Sequence, residues 1–507
     1  LNDNKRVRLQ NNCSSGESSE VDGSGGLKRA VIRGVAWITL ASTTVRILAA
    51  LSNLVLAKLL VPEVFGIIAI ANVAIGGMEL FSDFGVGRAL IQYKGDTRTA
   101  AHTALTLRLL QGAVLFIIAA AFAGKFSEYY RTPELQLIIP ILGINFLIFA
   151  AGAIPKSILS KDLKFKQQVI PQTLPALLQV ITAITLAYYL RNVWSIIAGM
   201  VVMNLTKTVL FWRASPFRLR FRLDFAIARR LLSFGIPLFA SGLVWFLVHN
   251  MGIVVIGRKW DMEQLGYFAF SFTIISLPVT EIVFILNTVM FPTYSRLSNS
   301  IRDLKNAYII TLRHTAYIMV PLCIGIPLFG GDLFRALYDT KWVEAIAPLQ
   351  AFGVYAFMRA LGASTGNVFL ALGKTKHLLF NALICFVILV VFIYPVTVRY
   401  GITGVAWLFS LAWVITLSIL LIWLKELIGV KFIDFFRVFK IPILASIIAM
   451  APIKYLAGGI IPLSNLLTLI PAGVVIIMIY SAVVWLLDPT AALSIKRSIQ
   501  EKKPVLL

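Results

Sequence analysis

The chain has 507 residues, of which 59% are hydrophobic and only 14% charged, with a mean hydropathy of +0.85. About a quarter of the residues of a soluble domain are charged, so this composition excludes an ordinary soluble globular protein. A formal net charge of +24 would suit an acidic partner such as nucleic acid, unless membrane topology already accounts for it.

Crossing a bilayer takes about 20 apolar residues per helix, and the apolar runs here are of that length. Barrel strands would alternate polar and apolar side chains instead, so the predicted fold is an all-α polytopic membrane protein. Residues 1–27, rich in Asn, Ser, Gly and Glu, read as a disordered cytoplasmic tail. They do not read as a signal peptide, because polar residues follow Lys5, Arg6 and Arg8.

Hydropathy then places spans at roughly 34–57, 64–91, 101–124, 134–155, 169–190 and 193–212, forming a first lobe over 28–212. A basic linker, 213–232, follows. A second lobe over 233–424 holds spans near 233–257, 264–290, 307–330, 343–371, 377–398 and 402–424. A last pair near 437–460 and 466–487 occupies 425–487, and 488–507 form a cytoplasmic tail. The total is about 14 helices.

With both termini in the cytoplasm, 34 of the Lys and Arg residues fall on the cytoplasmic side and ten on the other. That asymmetry follows the positive-inside rule and predicts an N-in, C-in topology. Most of the +24 is therefore topological, and no nucleic-acid partner is expected. Three scattered cysteines, Cys13, Cys323 and Cys385, offer neither a disulfide framework nor a metal site.

An internal repeat emerges at an offset of 200 residues, where Pro62–Ala69 lies over Met262–Ala269 and matches Glu63 with Glu263, Gly66 with Gly266 and Ala69 with Ala269. Both stretches open the second helix of a six-helix set. Both helices also carry a deep carboxylate, Glu79 and Glu281. Six helices per copy make the copies parallel, related by an axis along the membrane normal.

Charges inside the spans are the informative ones, because an unpaired charge in hydrocarbon costs at least about 2.5–3.5 kcal/mol. Three basic residues remain there: Arg46, Lys207 and Arg359. Arg46 and Arg359 sit about midway across, and two readings stand for them. One is an ion pair with Glu79, Glu281 or a backbone carbonyl that serves helix packing alone. The other is the lining of an aqueous cavity, where the planar guanidinium fork suits phosphate or carboxylate cargo. Lys207, close to a helix end, either joins such a cavity or extends its stem to the headgroups.

Glu79, Glu281 and Asp83 are candidate proton or cation sites, with simple ion pairing as the alternative, and Asp83 is the more structural of the three. His249 is a candidate protonation switch, or an interhelical hydrogen-bond partner beside Asn250. Enzyme signals are thin. Gly362-Ala-Ser364-Thr-Gly366 has the spacing of a nucleophile elbow but falls inside a helix, where it reads as close packing between small residues. No nucleotide or metalloprotease motif is present, so no cofactor is expected, and energy would come from an H+ or Na+ gradient or from the cargo's own.

Two stretches, Leu60-Val-Pro-Glu-Val-Phe-Gly66 and Ser82–Asp96, resemble the polysaccharide transporter, or Wzx-type oligosaccharide flippase, family of the multidrug/oligosaccharidyl-lipid/polysaccharide superfamily. Ser160-Lys-Asp-Leu-Lys-Phe-Lys166 is similar to that family's basic-aromatic loop, and Leu337–Leu349 to its Lys-Trp segment. The resemblance implies two six-helix lobes around a central cavity, an appended helix pair, and alternating access in a bacterial inner membrane. It implies no enzymatic activity. The cargo implied is an undecaprenyl-pyrophosphate-linked oligosaccharide repeat for exopolysaccharide, capsule or O-antigen synthesis, with membrane lipids, a polymerase and a co-polymerase as candidate partners. A cation-coupled multidrug exporter of the same superfamily and an integral-membrane polysaccharide polymerase are the alternatives.

Overall fold

In hydrocarbon every backbone N–H and C=O must be satisfied within the chain, so apolar runs of this length fold as helices. The computed structural model describes residues 25–83, 90, 96–162, 164–215, 217, 221, 223–338, 340–459 and 465–488. Thirteen α-helices run through them in the order expected. The first six are α1 (Gly25–Leu59), α2 (Pro62–Asp83), α3 (Thr97–Tyr130), α4 (Leu135–Lys161), α5 (Val169–Leu190) and α6 (Trp194–Ala214). Then come α7 (Phe225–Lys259), α8 (Met262–Leu297), α9 (Ile301–Tyr338), α10 (Ile346–Ala371), α11 (Thr375–Ile428), α12 (Phe432–Gly459) and α13 (Leu466–Leu487).

Among the described residues, eleven helices contain a stretch long and apolar enough to cross a membrane. At 54 residues, α11 would be about 80 Å long if straight, far more than a bilayer core. It is broken at Gly401, whose φ of 59° and ψ of −155° lie outside the helical region, so the two spans expected over 377–398 and 402–424 are limbs of one element. A residue with a side chain would be strained there.

Helix ends follow local chemistry. Asp261 caps α8 by accepting the Gln264 N–H at 2.8 Å. Gly429, at φ 68°, ends α11 in the left-handed conformation that glycine adopts without strain. Several helices run beyond the expected spans. Notably, α4 carries Lys156 just past the span expected over 134–155, and α3 carries Arg108 inside the span expected over 101–124, where only Arg46, Lys207 and Arg359 are expected as basic residues within spans.

Within the first six helices α3 packs on α4, α5 on α6, α1 on α5 and α2 on α4. Within the next five, α9 packs on α10, α10 on α11, α7 on α11 and α8 on α10, which repeats much of the same scheme. The two sets meet chiefly through α2 against α8 and α7. Meanwhile α12 lies on α9, and α13 on α12. Large apolar side chains on the outside, such as Leu467 and Ile477 of α13, face where lipid would be.

The contact between α2 and α8 is close enough to demand glycine. A Cβ on Gly66 would stand 1.9 Å from the Met262 carbonyl oxygen, and one on Gly266 would stand 1.9 Å from that of Pro62. Around this point an aromatic cluster seals one end of the bundle: Phe270 and Trp342 have ring centroids 4.1 Å apart, and Phe65 stands 5.2 Å from Trp342. The buried Trp342 indole donates to the Ala57 carbonyl of α1 at 2.9 Å, joining the two halves again.

Candidate functional site

From the sealed end, helical rise sets the depth of each charged residue. Arg46 is 13 residues before the end of α1, and Arg359 is 13 residues after the start of α10, so both lie about 20 Å in. Glu281 and Glu79, on the two repeat-related helices α8 and α2, lie somewhat deeper, at about 25–28 Å.

The structure brings Arg46 and Glu281 together. Arg46 Nη1 donates to Glu281 Oε1 at 2.8 Å, and the guanidinium also lies over the Phe284 ring at 4.6 Å. Each side chain is about one-third exposed, at 31% and 32%. The pair crosses from the first half to the second, and α1 and α8 are not among the closely packed helix pairs. A long side chain spans the gap instead. Of the partners expected for Arg46, Glu281 is the one found.

Arg359 sits apart from that pair. It lies 6.0 Å from the centre of the Tyr355 ring and within electrostatic reach of His249, and among the described residues it makes no ion pair. The Tyr355 hydroxyl is buried, and the Arg359 guanidinium is its polar neighbour. His249 does not bridge helices as expected. Its Nδ1 is 2.9 Å from the Trp245 carbonyl, and the Asn250 amide donates to Phe246 at 2.8 Å, both one turn back on α7. A carbonyl one turn away is always within reach of such side chains, so no second helix is needed.

The third expected cation, Lys207 of α6, lies within electrostatic reach of Lys156 on α4 and Glu79 on α2. Glu79 is exposed. Lys156, which hydropathy had left in a loop, thus belongs with the expected residues. Asp83 closes α2, and its side chain lies outside the described residues. The Gly362–Gly366 motif is helical, with Gly362 packed against Trp413 of α11. Among the described residues no three His, Cys, Asp or Glu side chains group to hold a metal.

Two helical sets meeting on repeat-related helices, with charges at mid-depth between them, define an all-α polytopic membrane protein of duplicated architecture. The lipid II flippase MurJ in an inward closed conformation has this fold: it superposes with a TM-score of 0.75 at 17% identity, over 90% of this chain and 100% of that one. A family model described as polysaccharide biosynthesis protein matches residues 55–347, and the chain belongs to that family. It is 24% identical over 298 residues to the teichuronic acid biosynthesis protein TuaB of Bacillus subtilis (strain 168), covering 58% of this chain and 62% of that one. It is 22% identical over 347 residues to the lipopolysaccharide biosynthesis protein WzxC of Escherichia coli (strain K12), covering 68% and 70%. The chain thus spans less than two thirds of TuaB's length.

Proposed function

We propose that this protein is a flippase that carries an undecaprenyl-pyrophosphate-linked oligosaccharide from the cytoplasmic to the outer leaflet of a bacterial inner membrane. The observation that carries this reading is the Arg46–Glu281 pair, which crosses between the halves at mid-depth. A charge pair costly to bury is placed where the halves must separate, and where an anionic head would pass.

With the N-terminus in the cytoplasm, the aromatic seal at Phe65, Phe270 and Trp342 faces outward, and the arrangement is the one closed to the outside. Arg46 and Arg359 bind the cargo's anionic groups from opposite halves. A guanidinium keeps its charge at any physiological pH and can grip phosphate or carboxylate with two parallel hydrogen bonds. Cargo on Arg46 competes with Glu281, so binding loosens the link between the halves. Released Glu281 then takes up H+ or Na+ and couples the cycle to a gradient, with Glu79 as a second candidate ion site. The names of TuaB and WzxC, a teichuronic acid and a lipopolysaccharide biosynthesis protein, support saccharide cargo over drugs. Polymerase and co-polymerase would act on the product at the outer face.

The test is gene deletion followed by identification of the lipid-linked saccharide left on the cytoplasmic face. Accumulation there, with loss of surface polymer, is expected. Unchanged polymer with no accumulating lipid would overturn the reading, and drug sensitivity on deletion would favour the exporter.

A further inference from the structure

One aromatic group in the second half is left unexplained by packing. Deep in that half, Phe268, Phe352 and Phe409 form an ordinary dry core, each at most 3% exposed. The aromatic chain continues from Phe352 through Tyr355 to Trp413 of α11, 5.5 Å between centroids with the rings almost perpendicular, and on to Trp245 of α7 at 6.1 Å. His249 packs on Trp245 at 5.6 Å. Here the core stops being dry: Trp245 is 36% exposed, and Trp413, His249 and Arg359 are all partly exposed.

The exposed side of this group does not suit lipid. Arg359 lies at mid-depth without an ion-pair partner among the described residues, and a bare guanidinium facing hydrocarbon would cost several kcal/mol. An occupant must therefore offer two things: flat apolar surface for the indoles and an anion for Arg359.

We infer that Trp245, Trp413, His249 and Arg359 form a saccharide-binding subsite that takes a pyranose ring carrying an anionic group. This rests on the proposed flippase function and names what one part of the cargo meets. A pyranose has an apolar face of C–H bonds that covers an indole plane, while its hydroxyls extend sideways to polar neighbours. Trp supplies that plane at little entropic cost, and a polar tip besides. Arg359 takes the sugar's carboxylate or phosphate through its planar fork. The division of labour follows from the geometry: Arg46 is already compensated by Glu281 and opens the halves, whereas Arg359 is uncompensated and reads the sugar.

The test uses the purified full chain in nanodiscs, followed by tryptophan fluorescence. Four probes are titrated to millimolar concentration: a uronate tetrasaccharide, N-acetylglucosamine 1-phosphate, neutral maltotetraose and inorganic pyrophosphate. At least one of the two anionic sugars should quench the fluorescence saturably, and the one that does identifies the anion. Its affinity should fall at least tenfold in Arg359→Gln and in Trp245→Leu, and Trp245→Phe should restore most of it. Trp413→Leu, checked for monodispersity, should behave like Trp245→Leu. Binding of pyrophosphate and anionic sugars that is equal and indifferent to Trp245→Leu would mean a plain phosphate site and overturn the inference. So would absence of any saccharide binding. In either case, cytoplasmic accumulation of the lipid-linked saccharide in the deletion strain would leave the flippase reading standing, so the two failures are distinguishable.

Discussion

Gly66 and Gly266, 200 residues apart, make the same contact in reverse: Gly66 rests on the Met262 carbonyl at the start of α8, and Gly266 on the Pro62 carbonyl at the start of α2. Such reciprocity is what a two-fold axis between the halves produces. It places the axis between these helices and makes their close approach the pivot of the sealed end.

Any larger residue at this pivot should force the ends apart. Overpacking of this kind costs about 1–3 kcal/mol. Leu60, fully buried beside the pivot, is a reporter site when replaced by Cys in a background with Cys13, Cys323 and Cys385 changed to Ala. An impermeant maleimide should label Leu60→Cys several-fold faster when Gly66→Val or Gly266→Val is added. Equal labelling in all three backgrounds would contradict the pivot.

The Arg46–Glu281 pair should behave as a coupling between halves and not as two independent charges. Because each side chain is about one-third exposed, solvent screening limits its worth, and a coupling on the order of 1 kcal/mol is expected. A double-mutant cycle of Arg46→Gln and Glu281→Gln, read by thermal unfolding of the purified protein, measures it. Strict additivity would mean that the contact holds nothing together.

Trp342 contributes both packing and its indole hydrogen bond to Ala57. Trp342→Phe keeps most of the ring and loses the donor, leaving a buried carbonyl without its partner at a cost of about 1–3 kcal/mol. Maleimide labelling at Leu60→Cys should rise in this variant too, by less than with Trp342→Ala.

The appended helices are fastened by charge. Asp488, 4% exposed, bonds to Arg313 and Tyr317 of α9, Tyr480 donates to the Tyr317 carbonyl at 2.8 Å, and Lys454 of α12 pairs with Asp332. Asp488→Ala should speed hydrogen exchange of the amides over 466–487 several-fold, with the amides of α2 and α8 unchanged. Exchange unaltered throughout would show that apolar contact alone holds α13.

Hydropathy located the helices because bilayer thickness imposes a length on each apolar run, and even the break at Gly401 fell in the gap between two expected spans. The repeat was visible as Glu63, Gly66 and Ala69, but nothing local could tell that the paired glycines touch. Arg46 stood out by depth, while the choice of Glu281 over Glu79 depends on how the halves dock. Lys156 was missed because it falls one residue past its expected span, where charges go to the headgroups whatever the helix does, and Arg108, inside the span over 101–124, was passed over because it lies in the first two turns of that span. Arg108 is in fact 2% exposed inside α3. Trp245 and Trp413 gave no signal, since aromatic residues are common throughout such helices and only tertiary structure shows which of them leave the dry core beside a cation.

Transport itself is the most direct test. Vesicles carrying an undecaprenyl-pyrophosphate-linked oligosaccharide are reconstituted with the protein, with the saccharide on the external leaflet first trimmed by an added glycosidase. The remaining internal saccharide should become cleavable over time with the wild-type protein, and at least tenfold more slowly with Arg46→Ala/Arg359→Ala at equal incorporation. Cleavage by the wild type no faster than in protein-free vesicles would contradict the account.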